Sequence, residues 1–163
     1  MIRIVVLSDT HIPEKAKSIP EEILPELKTA DIIIHAGDLV ALNVLEQLRR
    51  ISPRVYAVYG NMDPYEVRKE LPEKEVIKVG KYKLGLMHGY GAPNNLIEVM
   101  QKAFKDEDVD IIIFGHSHAP FNEKRGKILF FNPGSITDKI FSAYNSYGIL
   151  EINDKIEARI VKI

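Results

Sequence analysis

The sequence contains no cysteine, no tryptophan and no long run of apolar or like-charged residues. The absence of cysteine excludes disulfide bonds, thiolate metal sites and cysteine nucleophiles. The apolar run before Ser8 is too short for a signal peptide core or a membrane span. The 22 basic and 23 acidic residues nearly cancel, which argues against a nucleic-acid surface or a polybasic membrane anchor. We therefore predict a cytoplasmic protein.

The composition is that of a chain with a substantial core, because 45% of the 163 residues are hydrophobic. No internal repeat, low-complexity segment or linker-like tract divides the sequence. We therefore predict a single domain over residues 1–163. A homo-oligomer is compatible with these features, but nothing in the sequence selects an oligomeric state.

Short β-branched runs alternate with stretches that have helical spacing. The predicted strands are 2–8, 32–36, 55–60, 75–79, 82–87, 111–114, 127–131, 147–152 and 156–161. The predicted helices are 20–28, 42–50 and 95–105, and a capping box of Asn95 and Glu98 is expected to begin the last one. The first three strands are continuous apolar runs, typical of parallel strands, whereas the later ones favour hairpins. This order predicts an α/β sandwich with mixed sheets.

Polar motifs follow the carboxyl ends of five predicted strands, and ligands bind at this edge in open α/β sheets. The motifs are SDTH, HAGD, GNMD, HGYG and GHSH. The candidate metal ligands in them are Asp9, His11, Asp38, Asn61, His88, His116 and His118. Seven nitrogen and oxygen ligands are too many for one tetrahedral ion, but they suit two divalent cations with a bridging carboxylate. Imidazole, carboxylate and amide together favour Mn, Fe, Co, Ni or Zn over Ca or Mg.

Each motif also has an ordinary structural interpretation. An aspartate after a strand is a common helix N-cap, and GNMD could equally form a turn. The pair His116 and His118 is more specific, because two imidazoles on alternate residues at the end of a buried strand need a common partner. The order and spacing of all five motifs, more than any single motif, predict the metal site.

Taken in order, D-x-H, G-D, G-N, H-G and G-H-x-H resemble the motifs of calcineurin-like metallophosphoesterases. The small size and the N-P-G-S at 132–135 resemble the compact phosphodiesterase branch of that family. The resemblance implies a sandwich of two mixed β-sheets flanked by α-helices, with two divalent metal ions at one edge. It implies a first metal ion on Asp9, His11 and His118, a second on Asn61, His88 and His116, and Asp38 as the bridge. Manganese is the favoured metal, with nickel, iron, cobalt and zinc as alternatives.

The expected activity is hydrolysis of a small phosphodiester by a hydroxide that bridges the two cations. Asp38, Asn61 and His88 are the expected catalytic residues. The wider family has a histidine where this chain has Met62, and a thioether can neither bind phosphate nor protonate a leaving group. This substitution makes the alternative activity, a phosphomonoesterase, less favoured. A non-catalytic protein-binding scaffold, which the retromer subunit of this fold represents, is the alternative from another class.

Further residues are expected to support the site or to contact substrate. His35, Asp63, Asn132 and Ser135 are candidates for supporting the ligands. A ligand role is the alternative for His35, Asp63 could equally cap a turn, and Asn132 and Ser135 lie in a strong turn signal. Substrate contacts are expected from Asn61, Tyr90 and Gly91, near a helix whose free N–H groups could hold a phosphate oxygen. A plain helix cap is the alternative there. Specificity is expected from the loops at 13–18 and 138–145.

Overall fold

The computed structural model describes residues 1–163 and contains ten strands and four α-helices. The strands are β1 (Ile2–Leu7), β2 (Ile32–His35), β3 (Val55–Ala57), β4 (Lys74–Val79), β5 (Tyr82–Met87), β6 (Ile111–Ile113), β7 (Phe121–Arg125), β8 (Ile128–Asn132), β9 (Ser146–Ile152) and β10 (Ile156–Lys162). The helices are α1 (Leu24–Thr29), α2 (Leu42–Ile51), α3 (Tyr65–Glu70) and α4 (Leu96–Ala103). Short 3-10 turns, Glu21–Ile23 and Pro93–Asn95, precede α1 and α4.

The strands form two five-stranded mixed sheets. The first has the order β10-β9-β1-β2-β3, in which β1, β2 and β3 are parallel and β9 is antiparallel to both of its neighbours. The second has the order β4-β5-β6-β8-β7, with parallel strands β5, β6 and β8 between two antiparallel edge strands. The predicted α/β sandwich of two mixed sheets is therefore confirmed.

Alternation along β1 shows how the layers stack. Ile4 and Val6 pack into a cluster with Leu84 and Ile113 of the second sheet, so these side chains form the interface between the sheets. Val5 and its neighbours on the opposite face pack against α1 and α2. Helix α4 covers the outer face of the second sheet in a third cluster. Successive side chains of a strand point to opposite faces, which lets one strand serve both layers.

The structure differs from the sequence-based expectations at three places: two elements were not predicted, and one predicted cap is absent. Strand β7 was not predicted because its residues are mostly polar and exposed, as suits an edge strand. Helix α3 was not predicted either, and it has only six residues. The expected capping box is wrong: Asn95 makes no side-chain capping bond, because the chain enters α4 through the 3-10 turn at Pro93–Asn95. No helix in the structure is both long and apolar enough to cross a bilayer.

Candidate metal centre

The candidate ligands lie in the loops that follow β1, β2, β3, β5 and β6. The parallel strands of each sheet bring these loops to one edge, and backbone hydrogen bonds join them. The N–H of Asp9 donates to the carbonyl of Gly37 (3.0 Å), and the N–H of His11 donates to that of Asp38 (3.0 Å). The N–H of Gly115 donates to the carbonyl of His88 (3.1 Å). Residues far apart in the sequence are thus held in one loop cluster.

Two buried carboxylates lie at the centre of this cluster. Asp9 Oδ1 lies 3.3 Å from His118 Nε2 and 3.6 Å from His88 Nε2. Asp38 Oδ2 lies 3.5 Å from His11 Nε2 and 3.2 Å from His88 Nε2. Each carboxylate therefore faces imidazoles from both predicted ligand sets. Asp9 shares this position with Asp38, and the bridging role assigned to Asp38 stays a prediction.

Asn61 joins His88 to the one ligand not yet placed, His116. Its Oδ1 atom lies 3.1 Å from both His88 Nε2 and His116 Nδ1. The other nitrogen of each ring donates to a backbone carbonyl, His88 Nδ1 to Ala36 (2.7 Å) and His116 Nε2 to Gly91 (2.9 Å). Neutral rings held in this way would point their lone pairs at the amide oxygen. A cation or a proton between them would relieve this contact, and so would an amide orientation that turns Nδ2 toward the rings.

The charges of the site point in the same direction. Burial alone would raise the pKa of Asp9, but His88, His11 and His118 outweigh burial and hold this pKa well below its usual range. Burial would likewise lower the pKa of His88, but Asp9 and Asp38 raise it to about 9. A divalent cation would supply the positive charge that these carboxylates favour. Because it would have to displace a proton from His88, its binding should strengthen as the pH rises.

Two buried atoms of the cluster make no hydrogen bond: Asp9 Oδ1 and His11 Nε2. Buried polar atoms are nearly always paired, so such exceptions mark places where another group belongs. Side-chain donors that could hold a cation lie within 4.8 Å of one another in two groups, Asp9–His11–His118 and Asp9–Asp38–His88. Nitrogen and carboxylate donors in this number fit divalent transition-metal ions.

Five of the seven candidate ligands have a left-handed backbone conformation. Their φ angles are 52° for Asp9, 43° for His11, 57° for Asp38, 71° for His116 and 60° for His118. Aspartate and histidine adopt this conformation more often than most non-glycine residues, but it still costs on the order of 1–3 kcal/mol at each position. The loop hydrogen bonds hold these residues in place, so that successive short turns aim their side chains into the cluster.

Two glycines allow the loops to approach the carboxylates closely. A Cβ atom on Gly60 would lie 2.2 Å from Asp38 Oδ1, and one on Gly115 would lie 2.7 Å from Asp9 Oδ2. Neither position can therefore hold a larger residue without displacing a carboxylate. The glycines of the G-N and G-H-x-H motifs are thus required by packing around the candidate ligands.

Asp63 supports the loop of Asp38 and also organises a turn. Its carboxylate accepts hydrogen bonds from three backbone N–H groups, those of Asp38 (2.9 Å), Val40 (2.6 Å) and Gly60 (2.8 Å). Its own N–H closes a turn to the carbonyl of Gly60 (3.2 Å). The same side chain thus ties the β2 and β3 loops together, and its support of the metal ligands stays a prediction.

His35 is fully buried, and both of its ring nitrogens have partners. Nδ1 accepts a hydrogen bond from the N–H of Gly37 (3.1 Å), and Nε2 lies 3.1 Å from Thr10 Oγ1. Burial lowers the pKa of His35 to about 3, although Asp9 opposes this shift. The ring is therefore neutral near pH 7 and contacts two ligand-bearing loops, and its supporting role stays a prediction.

The N-P-G-S segment is both a turn and a support. Asn132 Oδ1 accepts from the N–H of Gly134 (2.9 Å), which closes the turn, while Nδ2 donates to the carbonyl of Gly115 (3.0 Å). The hydroxyl of Ser135 donates to the carbonyl of Asp9 (2.8 Å). Both side chains are fully buried. They hold the loops of β1 and β6 through backbone atoms, without contacting the candidate ligand atoms.

The predicted substrate contacts at Tyr90 and Gly91 lie beside the cluster. The carbonyl of Gly91 accepts from His116, so this residue helps to orient a candidate ligand. Tyr90 is exposed and lines a cavity of about 270 Å³ together with Asn61 and Arg68. The free N–H groups that we expected at Asn95 belong instead to a 3-10 turn beginning at Pro93. Substrate binding by Tyr90 and Gly91 stays a prediction.

Sequence reasoning did not recognise one buried residue of this edge as part of the site. Asp138 Oδ2 accepts a hydrogen bond from His118 Nδ1 (2.7 Å), and its side chain is fully buried. The residue lies in a loop that we had associated with specificity, 20 positions beyond the histidine. No motif in the sequence marks this aspartate, because the pairing depends on how the loop after Ser135 folds back over the site.

The fold and the polar edge define the class of protein. A family model described as the calcineurin-like phosphoesterase superfamily domain matches residues 2–155. The chain belongs to this superfamily. The family points to a phosphoesterase that depends on metal ions, and the His and Asp clusters of the structure are its candidate metal-binding groups.

Individual relatives extend this assignment. The chain is 35% identical to a probable metallophosphoesterase of Methanocaldococcus jannaschii over 161 residues, which cover 97% of this chain and 80% of the relative. It is similar to an archaeal phosphodiesterase of known structure, with 26% identity, a TM-score of 0.77 and coverage of 99% and 100% of the two chains. It is also similar to Vps29 of Entamoeba histolytica in complex with zinc, with 29% identity, a TM-score of 0.77 and 99% coverage of each chain.

Proposed function

We propose that this protein is a phosphodiesterase that uses two divalent cations to hydrolyse a small phosphodiester. The observation that carries this proposal is the position of Asp38, whose Oδ2 atom lies 3.5 Å from His11 and 3.2 Å from His88. One carboxylate oxygen thus faces an imidazole of each predicted ligand set. The structural similarity to an archaeal phosphodiesterase supports this activity, and the similarity to a zinc-bound Vps29 supports metal binding.

Each candidate ligand has a separate role in this proposal. Asp9, His11 and His118 would hold one cation, Asn61, His88 and His116 the other, and Asp38 would bridge them. Two such cations supply a nucleophile by lowering the pKa of a bridging water, and they polarise the phosphoryl group. The amide of Asn61 is neutral and leaves more positive charge for substrate than a carboxylate would. Manganese is the first metal to test, before nickel, iron, cobalt and zinc.

Met62 supports a diester as the substrate rather than a monoester. Its side chain is exposed and lines a cavity that also contains five of the candidate ligands, His11, Asp38, Asn61, His116 and His118. A thioether there can neither donate a proton to a leaving group nor bind a phosphate oxygen. A general acid typically contributes about 100- to 10,000-fold, so substrates with poor leaving groups should react slowly. A phosphomonoesterase is therefore the less favoured activity.

The similarity to Vps29 keeps a protein-binding scaffold as the candidate from another class. The complete set of seven candidate ligands supports an enzyme instead. We further expect the protein to act in the cytoplasm, on a small molecule rather than a nucleic acid, since its charges nearly cancel.

The test compares bis-p-nitrophenyl phosphate with p-nitrophenyl phosphate as substrates of chelator-treated protein, with and without added manganese or nickel. Asp38→Asn removes the proposed bridge, and Asp154→Asn, at an exposed turn, is its matched control. We expect turnover that returns with metal, favours the diester and is lost only in Asp38→Asn. Protein that holds metal and cleaves neither ester would instead support the scaffold.

A further inference from the structure

A cavity of about 610 Å³ lies in front of the candidate ligands. One side is polar and includes His11, Asp38, Asn61, His116 and His118. Apolar side chains also line it, namely Met62, Pro93, Ala119 and Phe141. Sites for small molecules usually occupy about 300–1,000 Å³. The cavity is therefore larger than a phosphate group requires and leaves room for an organic substituent.

Phe141 is the largest apolar side chain of this cavity, and 71% of it is exposed. Its backbone N–H donates to Asp138 Oδ2 (3.0 Å), the same atom that accepts from His118. Its ring lies 5.9 Å from the His118 ring, at an interplanar angle of 83°. An exposed aromatic ring is thus anchored directly beside a candidate metal ligand, which is where a substrate group can cover it.

Lys15 adds a positive charge to the same wall. Its Nζ atom lies 5.5 Å from the centre of the Phe141 ring and 3.4 Å from Asp138 Oδ1. A cation near an aromatic face is attracted by the ring. The lysine therefore restricts the orientation of the ring and complements the negative charge of a phosphodiester. The loops at 13–18 and 138–145 meet here, one supplying the charge and the other the apolar surface.

The geometry of hydrolysis indicates which part of a diester would reach this wall. In an in-line displacement the leaving group departs opposite the attacking oxygen, while the retained ester group lies to the side. Phe141 lies beside the ring of His118, which would hold one of the cations, and therefore on the side of the cavity from which the leaving group departs. We propose, on the basis of the phosphodiesterase function above, that Phe141 binds an aromatic leaving group.

The experiment uses manganese-loaded protein and two diesters, methyl p-nitrophenyl phosphate and methyl trifluoroethyl phosphate. Both yield the same methyl phosphate and carry the same charge, so the aryl-to-alkyl ratio of their kcat/KM values reports on the leaving group. A change in folding or metal loading scales both values and leaves the ratio unaltered. Comparing the ratio between variants also cancels the intrinsic difference in reactivity between the two esters.

We expect Phe141→Ala to lower the aryl-to-alkyl ratio by about 2- to 10-fold, the size of a typical aromatic contact. Phe141→Tyr should keep the wild-type ratio. The matched control is Ile140→Ala, which alters an equally exposed neighbour that does not line the cavity. Calorimetric titration with diphenyl phosphate and dimethyl phosphate should show the same change as a ratio of dissociation constants.

Two results would contradict the proposal in different ways. Wild-type protein could cleave both diesters while Phe141→Ala leaves the ratio of kcat/KM values and the ratio of dissociation constants unchanged. In that case the aromatic subsite is wrong and the phosphodiesterase function stands. If metal-loaded wild-type protein cleaves neither diester, the phosphodiesterase function fails, and the subsite for an aromatic leaving group fails with it.

Discussion

The imidazole of His118 connects two carboxylates: Nδ1 donates to Asp138 Oδ2 over 2.7 Å, and Nε2 lies 3.3 Å from Asp9 Oδ1. Asp138 therefore fixes the proton on Nδ1 and leaves Nε2 free to bind a cation. Carboxylates that hold a metal-binding histidine in this way orient the ring and make it more basic. Asp138 is accordingly a positioning residue for the candidate centre.

Replacement of Asp138 tests this role. Asp138→Asn keeps the shape of the side chain but weakens the bond to His118, so metal affinity should fall by about 10- to 100-fold. Competition with a chelating dye measures this affinity, and the exposed Asp154→Asn variant is the control. An unchanged affinity together with a lowered melting temperature would assign Asp138 a purely structural role in its loop.

A second experiment should distinguish the candidate ligands from His35 by the effects of their substitution. His116→Ala and His118→Ala should each lose metal and more than about a hundredfold in activity, because they remove proposed ligands. His35→Ala should keep metal but lose about 1–3 kcal/mol of stability, since it leaves the buried N–H of Gly37 unpaired. Elemental analysis and urea unfolding measure the two effects. Equal metal content in all three variants would contradict the proposed ligand set.

Gly60 offers a test that alters no candidate ligand. A methyl group there would lie 2.2 Å from Asp38 Oδ1 and would push this carboxylate away from the imidazoles. Gly60→Ala should therefore reduce metal affinity by at least about tenfold, because even a small displacement of a ligand is costly. Gly80→Ala is the control, since a Cβ atom at that left-handed turn has open space around it. It should lower stability by about 1 kcal/mol and leave metal binding intact.

The pH dependence of the free energy of unfolding should show that His35 is buried as a neutral ring. Its pKa is about 3 in the folded protein, mainly through burial, and near 6.5 in the unfolded chain. Between these values the unfolded chain binds a proton that the folded state does not, so the free energy of unfolding decreases as the pH falls below 6.5. The contribution amounts to about 2 kcal/mol between pH 7 and pH 5.

His35→Gln removes this contribution, and the metal-free variant should lose about 2 kcal/mol less stability than the wild type over that interval. Urea unfolding in the presence of a chelator measures it. His88 has its pKa raised to about 9, so it stabilises below pH 6.5 and loses this effect as the pH rises through 9. Its contribution is common to both proteins and cancels in the comparison. Parallel pH profiles would show that His35 is not buried as a neutral ring.

The sequence predicted the parts of the fold that depend on local pattern. Apolar runs such as 2–8 and 111–114 fall within 1 or 2 residues of β1 and β6, because burial on both faces leaves a continuous hydrophobic signal. Strand β7 lacks this signal, since four of its five residues are exposed. It pairs with β8 as a hairpin across the turn at Gly126 and Lys127, but its own polar residues carry no burial pattern that would mark a strand.

The candidate site shows the same division. The structure brings together Asp9, His88 and the other predicted ligands, because strand order determines which loops meet and the motifs follow those strands. The pairing of His118 with Asp138 was not predicted, since it depends on the path of an irregular loop. The left-handed conformations of the ligands were not predicted either. They arise from hydrogen bonds between loops, such as the one from His11 to Asp38.

The left-handed backbone of the ligands has a consequence for how this fold can change during evolution. Asp9, Asp38 and His116 occupy conformations that glycine would adopt with less strain. While cations are bound, their binding energy offsets that strain. In a lineage released from selection for catalysis, substitutions that abolish the metal centre would therefore stabilise the bare fold. A sandwich of this kind would then gain folding stability when it loses its metal centre and keeps its fold.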